Sequence, residues 1–181
     1  RLTVGEFTNV TSIRYTMCDA LVQANAGTPA SSSQLTSIVN SLDSVFDAFE
    51  VDSGALSRCT DVARAALDLI NAGYLGFADD DIPQRMVAII SKFVDARVNG
   101  SLADAGLGVY GMNITEVESN EIITMARDVQ TQLQDTLSNG ESAVELVSGH
   151  LRMSVHNDLS TSLAGAVLST PRSASEIAAN S

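Results

Sequence analysis

One lysine, Lys92, and nine arginines stand against 22 acidic residues, leaving a formal charge of −12. With so few cations there is no basic patch to neutralise phosphates, which argues against nucleic-acid binding and equally against docking on anionic lipid. The acidic balance itself reads as solubility rather than as a specific cationic partner. Long apolar runs are also missing. None approaches the roughly 20 residues of a membrane span, so this segment is not expected to insert directly into a bilayer. No serine stands in G-x-S-x-G, so no hydrolase triad can be argued. Cysteine occurs only at Cys18 and Cys59, too few for a dense disulfide framework.

A chain of 181 residues does not need such a framework, because it can bury roughly two-thirds of its unfolded surface. Its length suits one domain, or one domain with part of a second, and 45% apolar content excludes a disordered tail. Arg1 opens the chain with neither methionine nor signal peptide, which reads as a piece of a longer or processed protein.

The organising stretch is Ser31 to Cys59. Leu35, Ile38, Val39, Leu42, Val45, Phe46 and Phe49 recur at spacings of three and four, placing them on one stripe of a helix. Ser31 to Ser33 supply N-cap candidates, and Asp52-Ser53-Gly54 punctuate the end. A preceding helix is predicted from Thr11 to Asn25 with Ile13, Met17, Leu21 and Val22 inward. A following one begins near Asp52 or Ser53, carries Leu56, Cys59, Val62, Ala63, Ala66, Leu67 and Ile70, and ends at Asn71-Ala72-Gly73. A fourth starts at Asp81, with Pro83 in its first turn, presents Met86 to Val98, and stops at Asn99-Gly100. Thr115 and Glu118 have capping-box spacing for a fifth, which runs to about Leu137 with Ile122, Met125, Ala126, Val129 and Leu133 inward.

After Ser138-Asn139-Gly140 the period falls to two. Val144 and Leu146 alternate, as do Leu151, Met153 and Val155, and Ala166-Val167-Leu168 offers a further short strand. The expected fold class is mainly α, a bundle of about five amphipathic helices with short β-strands in the C-terminal third. Residues 1–139 form the bundle in this reading. Residues 140–181 form strands and a loose tail that lead into, or pack on, a neighbouring domain.

Cys18 and Cys59 fall in the helices on either side of the central one, so a disulfide between them would tie those neighbours together; the alternative is two buried thiols in a cytosolic bundle. Three sequons, at Asn9, Asn99 and Asn113, are each expected at a loop or helix start, where a glycan would be tolerated. Gly106 to Gly111 spells G-x-G-x-x-G with Asp128 downstream, but no strand precedes it, so it reads as a connector. His150 and His156, with Asp158 near the second, lack the further ligands a metal needs. Asp79, Asp80 and Asp81 depart from calcium-loop spacing and are explained by helix capping. No catalytic residue, metal or cofactor is therefore expected.

From Asn139 to Val155, a helical run leads into a Gly140-Glu141 turn, two alternating strands and then Leu168-Ser169-Thr170-Pro171. This order, with the helices before it from Leu35 onward, resembles the extracellular region of polycystin and REJ proteins, where a helical segment precedes a GAIN-type sandwich. The resemblance implies a non-catalytic structural or adhesive segment of a cell-surface or ciliary protein, partnered by other domains or subunits of an extracellular assembly. GAIN domains self-cleave at His-Leu before a hydroxyl residue. Here Arg152 follows His150-Leu151, so autoproteolysis is not carried over. The alternative is a secreted helical-bundle inhibitor or binding protein, similar to the plant invertase and pectin-methylesterase inhibitors, though those usually carry four cysteines.

Overall fold

The computed structural model describes residues 4–27, 31–71, 81–104 and 116–157. Among them are five helices, α1 (Val4–Asn25), α2 (Ser32–Val45), α3 (Ser53–Asn71), α4 (Asp81–Asp104) and α5 (Glu116–Thr136), followed by strands β1 (Val144–Val147) and β2 (Arg152–Val155). None of these helices is long and apolar enough to cross a membrane. The expectations at Asp79, Asp80, residues 106–111, Asn113, Thr115, Asp158 and 166–168 fall outside the described residues.

Helix α3 packs on the four other described helices, α1, α2, α4 and α5. Its ability to do so follows from its sequence. Ala55, Ala63 and Ala66 let neighbouring backbones approach, while Leu56, Cys59, Val62, Leu67 and Ile70 fill the spaces between, and all are buried. Asp52 starts the helix: its carboxylate accepts from the Ala55 N–H at 2.8 Å and its carbonyl from the Leu56 N–H at 2.9 Å.

Helix α2 buries Leu35, Ile38, Val39, Leu42 and Val45, and Ser31 caps it by accepting from the Gln34 N–H at 3.2 Å. The stripe ends sooner than its spacing suggests. Phe46 leaves the helix in extended conformation while its N–H still reaches the Leu42 carbonyl. Its ring meets Phe93 of α4 edge to face, with centroids 4.7 Å apart. Asp47 then accepts from the Phe49 N–H at 2.9 Å, a local turn that swings Phe49 out to 72% exposure. Phe49 is therefore no part of the core.

Helix α1 departs further from expectation. It starts at Val4 rather than Thr11, because half-buried Phe7 and buried Thr11 extend the inward row of Cys18 by two turns. Ile13 and Met17 point outward, 57% and 42% exposed, and Leu21 and Val22 are half-buried. Helix α4 also runs on through Asn99-Gly100 instead of ending there, and Val98 is exposed. A glycine inside a helix costs only about 1 kcal/mol, too little to stop a helix whose Met86, Val87, Ile89, Ile90 and Phe93 are all buried.

At the end of α5, Leu133 and Leu137 remain buried. Gly140 turns the chain at φ +78° and donates to the Asn157 carbonyl at 3.0 Å, while the Asn157 side chain returns to the Leu137 carbonyl at 2.5 Å. These bonds fix the base of an antiparallel hairpin in which Val144 faces Val155 and Leu146 faces Met153. Leu146, Met153 and Val155 are buried, with β1 against α4 and β2 against α5. The hairpin thus shares its apolar core with the helices.

Candidate functional site

The two cysteines do pair. Cys18 of α1 and Cys59 of α3 form a disulfide with Cα atoms 5.0 Å apart, and both residues are fully buried. An intramolecular disulfide suits an oxidising compartment, which is consistent with an extracellular location.

Four of the ten cations join separate elements. Arg14 of α1 pairs with Glu50, just before α3, and donates to the Val45 carbonyl at 2.7 Å. Arg58 of α3 reaches Asp19 of α1 at 2.5 Å and Asp61 on its own helix at 3.0 Å. The hydrogen bond to Asp19, followed by that to Asp61, raises the Arg58 guanidinium above its ordinary pKa, so it stays charged. Arg64 joins α3 to α5 through Asp128 at 2.5 Å. Lys92 of α4 donates to the Asp43 carboxylate at 2.6 Å and to the Asp43 carbonyl at 2.8 Å. Two of these cations therefore sit on last-turn carbonyls of α2, where open acceptors and the negative end of the helix dipole favour them.

A polar seam on α4 seats the hairpin. Gln84, Ser91 and Asp95 lie along one helical face. The Gln84 amide donates to the Val147 carbonyl at 3.0 Å. Ser91, buried, accepts from the His150 N–H at 2.9 Å, and Asp95 lies 2.5 Å from His150 Nε2. A Cβ added at Gly149 would stand 3.4 Å from the Ser91 hydroxyl, in ordinary contact. His156 instead contacts the Ser154 hydroxyl at 3.0 Å, so the two histidines serve different partners. Among the described residues no group of three histidine, cysteine or carboxylate side chains could hold a metal.

Two shallow grooves flank this frame. One of about 350 Å³ runs between α1 and α2 past Asn25, Gln34 and Ile38. The other, of about 390 Å³, lies between α5 and β2, lined by Ile123, Ala126, Gln130, Leu151 and Met153. Neither gathers an acid, a base and a nucleophile at reacting distance.

Of the sequons, Asn9 lies on the exposed face of α1 and Asn99 within α4, so both are helical rather than at a loop or helix start. Sequence reasoning missed the clasps and the α4 seam. Arg58 beside Cys59 and Arg64 beside Ala63 were the available signal, since a cation flanking an apolar stripe lies where a neighbouring helix can reach it. Compared with known protein families, curated proteins and solved structures, the chain matches none.

Proposed function

We propose that the chain is a non-catalytic structural and interaction segment of an extracellular protein of polycystin or REJ type, displayed at the cell or ciliary surface with other domains of the same assembly as its partners. The observation that carries this reading is the buried Cys18–Cys59 bond, which braces α1 against α3 and is consistent with an oxidising compartment. The use of Arg14, Arg58, Arg64, Lys92 and His150 supports it too: each joins separate elements instead of converging on a cleft. The test is to probe intact, unpermeabilised cells making the parent chain with an antibody against α3 and α4. Surface staining, with Cys18 and Cys59 disulfide-bonded in non-reducing mass spectrometry, is the expected result. Staining only after permeabilisation, with two free thiols, would overturn the reading.

One observation favours the secreted inhibitor or binding protein instead. The hairpin is seated on α4 and α5 with Leu146, Met153 and Val155 buried, as in a self-contained domain. Hydrogen exchange on the isolated chain separates the two. Protection from Val144 to Val155 equal to that of α3 moves the inhibitor ahead, whereas rapid exchange there favours a segment that needs its neighbours.

A further inference from the structure

The outward face of α1 carries a row that the bundle does not use. Asn9, Ile13 and Met17 succeed one another at intervals of four residues, and all three are exposed, Ile13 at 57% and Met17 at 42%. Helical side chains lean toward the N-terminus, so Ile13 lies over the turn that carries Asn9 and Met17 over the turn that carries Ile13. Asn9 opens the sequon Asn9-Val10-Thr11. We infer that Asn9 carries an N-linked glycan whose first sugars cover the Ile13–Met17 row.

The position fits the chemistry. Asn9 projects away from Cys18, on the side of α1 opposite the disulfide, so an attached sugar meets no packed element among the described residues. Thr11, by contrast, is 3% exposed and donates its hydroxyl to the Thr8 carbonyl at 3.0 Å. The sequon is therefore read on the nascent chain, before α1 docks. In the transfer, Nδ2 of Asn9 bonds to the anomeric carbon of a lipid-pyrophosphate-linked oligosaccharide as the carbon–oxygen bond to the pyrophosphate breaks. The lipid pyrophosphate leaves and the amide proton passes to solvent. The apolar face of a sugar ring then shields aliphatic side chains that would otherwise form an exposed patch.

This inference rests on the extracellular reading, because the transfer requires passage through the secretory pathway. The test directs the 181-residue chain through that pathway in a cultured animal cell and treats the secreted protein with peptide-N-glycosidase, which converts a glycosylated asparagine to aspartate. Conversion at Asn9 is expected, retained in Thr11→Ser and lost in Asn9→Gln. The Asn9→Gln protein, changed only at an exposed position, should still be secreted with Cys18–Cys59 intact. It should bind a hydrophobic reporter dye on the order of twofold more, and adding Ile13→Ser and Met17→Ser should return binding to baseline. Secreted, disulfide-bonded protein with unmodified Asn9 would overturn the inference while leaving the extracellular reading in place. A glycan whose loss leaves dye binding unchanged would overturn the covering role. Free thiols and intracellular staining in cells making the parent chain would remove the extracellular reading, and this inference with it.

Discussion

Helices α1 and α3 meet along one side of the molecule, yet they are held there differently. Helix α3 offers a continuous apolar stripe and is buried on several sides. Among the described residues of α1 only Thr11 and Cys18 are buried, with Arg14 reaching over to Glu50 and Arg58 reaching back to Asp19. Its aliphatic residues Ile13 and Met17 face water. Burial therefore secures α3, whereas α1 adds a covalent bond and polar clasps to the partial burial of Leu21 and Val22. A helix of the second kind can carry an apolar outer face without contributing it to the core.

Removing a packed ring from the α2–α4 contact should have the largest effect. Phe46→Ala should cost about 3–5 kcal/mol, because the ring is buried against Phe93 and the cavity left behind cannot close fully. Chemical denaturation would measure it. A loss no larger than that of an exposed Asp→Ala control would mean the apolar core is not what holds this half together.

Replacing both cysteines by serine should cost on the order of 3–4 kcal/mol in the chain-entropy account, since the bond closes a loop with a sequence separation of 41. The distribution of the loss matters more than its size. Amides of α1 should lose hydrogen-exchange protection while those of α3 keep theirs. Equal protection in both helices would erase the contrast drawn between them.

How far the sequence disclosed this arrangement follows the same divide. The stripe of α3 and most of that of α2 were legible because one face alone was apolar, and burial then obeys the period. In α1 apolar residues lie on two faces, so periodicity chose Ile13 and Met17, while the partner of Cys18 decided the matter from 41 residues away. Phe49 continued the α2 spacing in sequence, but the backbone had already left the helix at Phe46. The hairpin was visible as alternation at Val144–Leu146 and Leu151–Val155. Its seat on Gln84, Ser91 and Asp95 was not, because polar residues on a helix face carry no mark of what will lie across them.

The ionic clasps should matter less than the disulfide. Arg64→Ala should cost about 1 kcal/mol or less, since the pair with Asp128 is partly exposed and screened by salt. Thermal denaturation at low and high salt would test it, and a loss several times larger would rank the clasp with the core. Smallest of all should be Phe49→Ser, within about 0.5 kcal/mol of the parent, as expected for a surface substitution. Set beside Phe46→Ala, it compares two phenylalanines three residues apart just past the end of α2, one buried and one exposed. A substantial loss at Phe49 would show that its ring is engaged after all.

The Cys18–Cys59 bond also determines how the chain would respond to tension. Force applied at the two ends enters through α1 and crosses the sulfur–sulfur link directly into α3. Helix α2, which lies inside the closed loop, is left out of the load path. With a sequence separation of 41 and an extended reach of about 3.4 Å per residue, roughly 140 Å of chain stays locked until the bond is reduced. In single-molecule pulling, a reductant should release that length as an added extension. Under such a load the bond would act as a tether of fixed length, with α2 inside the loop it shields.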